Sequence, residues 1–325
     1  MKLRTELHLP PATFSISHET PILAMGSCFA DCMGERFHEN KFNILSNPFG
    51  TIFNPLAISN LLQMSFHQAY TFHTVQSQGI WQAYECHSEL GNAHQDILIE
   101  NLHRQVDICH QQLAKAKVLI ITLGTAVVYT EKSLQLSVAN CHKMPAHVFD
   151  KRLLSSDEIE RSLNETFELL HTHYPDLKII LTLSPVRHLK ETIHLNSVSK
   201  STLRVACHAL ESHHDFVHYF PSFELMMDDL RDYRFYKEDL IHPNHLAETY
   251  IWTKFIDTYC NDKTKAIITQ WDKVKKAIQH QPFFPESATY IQHLTDTIAK
   301  LANMSKDIDV NEEITFLQTK LNLTR

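Results

Sequence analysis

The chain has 325 residues, with 30 Lys and Arg against 37 Asp and Glu and a formal net charge of -7. That length suits one α/β domain plus an appendage, and the acidic balance gives no electrostatic ground for a nucleic-acid or anionic-membrane partner. No stretch approaches the roughly 20 uninterrupted apolar residues of a bilayer span, MKLRTELHLPPATF holds no apolar leader core, and seven cysteines without repeated spacing fit a reducing compartment, so the expectation is a soluble cytoplasmic protein.

In chain order, apolar runs alternate with segments of helical period, as in a parallel sheet covered by helices on both faces. PILAMG (21 to 26) predicts the first strand and residues 28 to 39 a helix. FNILSN (42 to 47) predicts the second strand, and Asn54 with Pro55 opens a helix over 55 to 66. The polar, aromatic stretch from about 67 to 92 reads as a hairpin or ordered loop, followed by a helix over 93 to 115. KVLIITLG (117 to 124) is the third strand, residues 125 to 150 a second excursion, and Ser156 leads a helix over 155 to 174. LKIILTLSP (177 to 185), a helix over 196 to 213, FVHYFPS (216 to 222) and a helix over 244 to 259 complete the pattern. The third and fourth strands are continuous apolar runs, which places them at the sheet centre. Beyond Cys260 the composition shifts to Lys, Gln, Thr and Ile, so residues 1 to 260 read as the main domain and 261 to 325 as a helical appendage, packed on it or used for self-association.

In an open parallel sheet, ligands bind beyond the carboxyl ends of the strands. Ser27 follows Gly26 there, Thr125 follows Gly124, and Arg187 and His188 follow the fourth strand. Ser27 at a strand-to-helix turn sits where a nucleophile has backbone amides and a helix dipole near it, which also describes an ordinary N-cap. Asp239 and His242, three apart in RDYRFYKEDLIHPN, supply a carboxylate that can hold an imidazole by one nitrogen while the other faces a hydroxyl. Cys28 is a thiol alternative, but its spacing to Cys32 fits a buried helix face, which favours Ser27. Arg187 and His188 suit an anionic or sugar substrate as well as a salt-bridged loop, and Trp81 with Tyr84 suits a sugar platform or a packing lid. No His, Cys or acidic residues fall in a metal-binding frame, so neither metal nor cofactor is expected.

GSCFA (26 to 30), NPFGTIFNP (47 to 55), ITLGTAVVY (121 to 129), NCHKMPAHVF (140 to 149), LSPVRHLK (183 to 190) and RDYRFYKEDLIHPN (231 to 244) together resemble the GSCFA family over about residues 20 to 258. That family is placed among the SGNH/GDSL-like hydrolases, so the resemblance implies a flavodoxin-like three-layer α/β sandwich with a five-stranded parallel sheet. It also matches Ser27 to the nucleophile, Gly50 to the oxyanion-hole glycine and Asp239 with His242 to the base pair. The third block departs from the pattern: Ala126 stands where an asparagine donor is usual, with Thr125 and the Asn140/His142 pair as candidate replacements.

The resulting expectation is a Ser27/His242/Asp239 esterase whose oxyanion is held at Ser27, Gly50, Thr125 and Asn140. His142, Arg187, His188 and Trp81 are its candidate substrate contacts. By resemblance the substrate is an O-acyl group on a carbohydrate, hydrolysed or transferred. The rival is a non-catalytic binding module that keeps the fold, motivated by Ala126.

Overall fold

The computed structural model describes residues 5 to 190 and 192 to 323. All five expected runs pair in one sheet: β1 (Ile22–Gly26), β2 (Ile44–Ser46), β5 (Val118–Leu123), β9 (Lys178–Leu183) and β10 (Val217–Phe220), in the order β10-β9-β5-β1-β2 and parallel throughout. β5 is the central strand, with β9 and β1 on its two sides. β1 and β5 are buried along their whole length, as strands covered on both faces must be. The chain crosses from β1 to the β2 side and then back to β5, so the carboxyl ends of β1 and β5 flank the point where strand order reverses. Crevices for ligands open at such points.

Between the strands run α1 (Cys28–Glu39), α2 (Pro55–His67), α3 (Gln95–Lys115), α4 (Ser156–His173) and α5 (Ile193–His213). Asn54 Oδ1 accepts from Ala57 N at 2.9 Å and Pro55 opens α2, as the sequence indicates. α4 differs by one residue: its cap is Ser155, in a reciprocal box with Glu158, because Ser156 already lies inside the helix. Apolar stripes such as Leu98, Leu102, Val106 and Cys109 on α3, and Ile159, Leu163 and Phe167 on α4, join the sheet residues in one core.

The first excursion is the antiparallel hairpin β3 (Thr74–Ser77) and β4 (Ile80–Ala83), turned by Gln78 and Gly79, both at positive φ. The second is a three-stranded antiparallel sheet of β6 (Val127–Glu131), β7 (Leu136–Val138) and β8 (Phe149–Leu153), in the order β7-β6-β8. β8 reads FDKRL and is exposed at its last four positions, so it carries no apolar alternation by which sequence could reveal it. A short turn α6 (Ser222–Glu224) follows β10, and α7 (His245–Tyr259) closes the Asp239/His242 loop.

The chain divides into two compact units, one formed mainly by Pro21–Glu35 and Ile44–Trp252, the other by Leu9–Thr20, Arg36–Asn43 and the chain from Thr253 onward. The second holds α8 (Asp262–Gln279), α9 (Ala288–Met304) and α10 (Asn311–Leu323), which bury Trp271, Leu294, Leu301 and Leu317 in their own core. Trp271 Nε1 donates to Glu39 O at 2.6 Å, and Lys41 pairs with Glu313 at 2.6 Å. Among the described residues no helix is long and apolar enough to cross a membrane.

Candidate functional site

The β1–α1 turn is fixed by backbone geometry. Gly26 lies at φ +146°, and a Cβ there would overlap the Thr122 carbonyl of the neighbouring β5, so only glycine lets these two strand ends approach. Ser27 N donates to Thr122 O at 3.0 Å, continuing the ladder for one more residue. Asn47, at φ 41°, accepts from Gly26 N at 2.8 Å and donates to Asp31 Oδ1 at 2.5 Å, tying the β2 end to the first turn of α1.

These constraints separate two adjacent side chains. Ser27 is 0 % exposed, and its Oγ accepts from Phe29 N at 3.3 Å, the bond of a helix cap. Cys28 is partly exposed at the α1 N-terminus. Burial, and then Asp31, raise the Cys28 thiol above its ordinary pKa, while Lys200 and the N–H groups of Cys28 and Phe29 pull it down. Neither Ser27 nor Cys28 makes a hydrogen bond to His242 among the described residues.

The expected carboxylate–imidazole pair is formed. His242 Nδ1 stands 2.6 Å from Asp239 Oδ2, while Asp239 Oδ1 accepts from Ile241 N at 2.9 Å and from His242 N at 3.0 Å. The backbone N–H of His242, then that of Ile241, then the imidazole hold the Asp239 carboxyl down to about 2. Leu240 between them takes φ 59°, a strained conformation for a bulky residue, kept by Leu240 N to Lys237 O and Lys237 N to His242 O bonds of 2.9 and 2.8 Å. Both side chains of the pair are roughly half-exposed.

A buried lysine with no sequence motif lies close enough to Cys28 and His188 to act on both electrostatically. Lys200 on α5 is 2 % exposed and donates to Ser184 O at 2.7 Å. Burial lowers its pKa to about 7, with Cys28 opposing that shift. Asn196 and Ser199 accompany it on the inner face of α5: Asn196 Oδ1 accepts from His188 N at 2.9 Å and Ser199 Oγ from Ala126 N at 2.8 Å. Their signal in sequence is polar residues at 196, 199 and 200 on the stripe that Leu203, Ala206, Cys207 and Leu210 continue.

His188 connects the parts. Its ring packs against Gly124 and edge-on to Phe53, its Nε2 is buried without a hydrogen-bond partner, and burial, then the charges of Lys200 and His242, lower its pKa to about 4. His188 and Thr125 also line a cavity of about 510 Å³, together with Phe53, Tyr129, Asn140, Lys143 and Lys190.

The remaining expected site residues divide. Gly50 N is bonded to Asn47 O at 2.8 Å, so its amide is held inside a turn rather than presented to an oxyanion. Thr125 Oγ1 lies 3.1 Å from Ser199 Oγ and accepts from Val127 N at 3.0 Å, so this hydroxyl anchors β6. Asn140 lines the cavity, its Oδ1 accepting from His142 N at 2.9 Å. His142 is 2 % exposed, with ring nitrogens 2.7 Å from Ala83 O and 3.2 Å from Ser88 Oγ; it props the β4 end and does not line the cavity. Arg187 turns away onto Tyr236 and Tyr233, 4.6 and 5.6 Å from their ring centres. Trp81 sits in β4, bonded through its backbone to Asn92, and is not among the cavity residues. Among the described residues no three His, Cys, Asp or Glu side chains gather as a metal site.

No curated protein matches the sequence. A solved chain described as a candidate platelet activating factor from Streptococcus pneumonia is similar at 13% identity and a TM-score of 0.38, over 74% of this chain and 83% of that one. The model of the GSCFA domain protein, C-terminal domain, matches residues 271–323. The GSCFA family model matches residues 21–255, so the chain with this β1 turn and Asp239/His242 loop belongs to the GSCFA family.

Proposed function

We propose that this chain catalyses acyl transfer from an ester, with His242 as the general base, Asp239 as its orienting carboxylate and Cys28 as the nucleophile. The observation that carries the reading is the 2.6 Å Asp239–His242 bond in the loop before α7, in a unit where Cys28 is partly exposed at the α1 N-terminus. Asp239 accepts from Nδ1, which leaves His242 Nε2 to take a proton. Ser27, the nucleophile suggested by resemblance, has no exposed surface and caps α1, whereas the neighbouring thiol is partly exposed.

In the reaction, His242 removes the Cys28 proton as Sγ attacks the ester carbonyl carbon, and the tetrahedral oxyanion forms at the α1 N-terminus, toward the Cys28 amide and the positive end of the helix dipole. Collapse breaks the ester C–O bond, His242 returns the proton to the leaving alkoxide, and a thioester remains on Cys28. Water, or a sugar hydroxyl in a transferase, then loses a proton to His242 and attacks the thioester; the acid or new ester departs and the thiol is restored. The SGNH-like relationship and a carbohydrate O-acyl substrate belong to this reading through the GSCFA resemblance. Support for a sugar comes from the Phe53 and Tyr129 rings of the cavity that shares His188 with the edge.

A second reading, a binding module without turnover, has one observation in its favour. Both Gly50 N and Ala126 N are engaged in internal bonds, so two amides of an oxyanion hole are occupied. Hydrolysis of a short-chain aryl ester separates the readings: acyl transfer predicts turnover and a loss of about 10²- to 10⁴-fold in His242→Ala. A wild-type rate equal to that of His242→Ala supports the binding module.

A further inference from the structure

We propose that the cavity beside His188 binds a carboxylate-bearing sugar, which makes the substrate an ester of an acidic carbohydrate; the word substrate rests on the acyl-transfer reading, the binding does not. The volume of about 510 Å³ suits a disaccharide, and its lining contains Lys143 and Lys190 but no Asp or Glu among the described residues. In a chain of net charge -7 this local balance is reversed.

The lysines are not neutralised in the way lysines elsewhere on the chain are. Lys117, Lys132 and Lys263 stand 2.9, 3.3 and 2.7 Å from the carboxylates of Asp176, Asp150 and Asp307. Lys190 instead lies 4.9 Å from the ring centre of Tyr129, and Lys143 Nζ donates to the neutral Gln78 Oε1 at 3.3 Å. Glu131, two residues along β6 from Tyr129, accepts from Ser133 Oγ at 2.8 Å and Leu134 N at 2.7 Å, so its carboxylate is occupied locally.

Each component has a matching feature on an acidic sugar. The Phe53 ring in the lining offers apolar surface to the C–H side of a pyranose, beside the Tyr129 ring that carries Lys190. Asn140, its oxygen held by His142 N, has its amide nitrogen for a ring hydroxyl. The ammonium groups of Lys143 and Lys190 are point charges for the carboxylate. The ester carbon would lie at the His188 end of the cavity.

The test uses the full chain carrying His242→Ala, so that no turnover is needed, and titrates it with digalacturonate, cellobiose and glucose 6-phosphate by calorimetry and ligand-observed NMR. The expected result is that digalacturonate binds at least about tenfold more tightly than cellobiose or glucose 6-phosphate. The added pair Lys143→Gln and Lys190→Gln, both at exposed positions, should remove that preference without changing the melting temperature. Equal binding of cellobiose, tighter binding of glucose 6-phosphate, unchanged affinity in the lysine variant, or no binding at all overturns the proposal. Digalacturonate binding by a wild-type protein that turns over no ester refutes the acyl-transfer reading alone and supports the subsite; ester turnover without digalacturonate binding does the reverse.

Discussion

Lys200 donates to the Ser184 carbonyl oxygen at 2.7 Å while only 2 % exposed, and its charge acts on Cys28 and His188. Burial lowers its pKa to about 7 from the usual Lys value near 10.4, so between those pH values the unfolded chain binds more protons than the folded one. Stability therefore rises with pH across that window, and the burden of the buried charge is largest below about pH 7. Relative to Lys200→Met, whose side chain is neutral throughout, the wild type should gain on the order of 2 to 3 kcal/mol between about pH 7 and 9.5. Urea denaturation of both proteins at the two pH values measures the difference; a flat or falling difference contradicts a buried, titrating Lys200.

Gly26→Ala places a methyl group against the Thr122 carbonyl and demands φ +146° of an L-residue. The cost should be about 3 kcal/mol or more, because the clash is with backbone of the central strand and cannot be relieved by a rotamer change. A shift of the urea midpoint within about 0.5 kcal/mol of wild type would contradict the close β1–β5 approach.

The capping of α4 makes a smaller, more local test. Ser155→Ala removes the Glu158 N acceptor and should destabilise the protein by about 1 kcal/mol, whereas Ser156→Ala should fall within about 0.5 kcal/mol of wild type. Thermal melts of the two variants compare the positions, and the reverse order would restore Ser156 as the cap.

The five sheet strands and most helix spans were legible because buried strands and amphipathic helices carry their pattern locally, as VLIITL in β5 and the Ile159/Leu163/Phe167 stripe do. The Asp239/His242 pair was legible for the same reason, since its partners are three residues apart. What sequence does not express is direction. Ser27 and Cys28 are neighbours, and only the Gly26 backbone conformation and the ladder bond to Thr122 decide that the serine faces inward. Gly50 and Thr125 were placed at the right strand ends, but their hydrogen-bond capacity is taken by Asn47, Ser199 and Val127. β8 went unseen because Asp150, Lys151 and Arg152 give it no apolar face, and Lys200 because a charged residue on a core stripe reads as an interruption until its partner, the Ser184 carbonyl, is known.

Asp239 accepts hydrogen bonds from Ile241 and His242, and its carboxyl titrates at about 2, so it remains ionised wherever the protein is assayed. Its lowered pKa means that the carboxylate supports His242 at all pH values above about 2 and is lost only below. Asp239→Asn should lower kcat/KM by about 10²- to 10⁴-fold across pH 5 to 9, without convergence toward wild type at the acid end. A pH–rate series on an aryl ester tests this, and a variant that recovers wild-type activity near pH 5 would show that the carboxylate is not what orients the base.

The assignment of Cys28 over Ser27 is tested most directly by trapping the acyl-enzyme with an aryl acetate, quenching in acid and locating the acetyl group by peptide mass spectrometry. The account predicts a thioester on Cys28, cleaved by neutral hydroxylamine, retained in Ser27→Ala, and absent from Cys28→Ala and His242→Ala. A hydroxylamine-resistant oxyester on Ser27 that survives in Cys28→Ala and is lost in Ser27→Ala would contradict it.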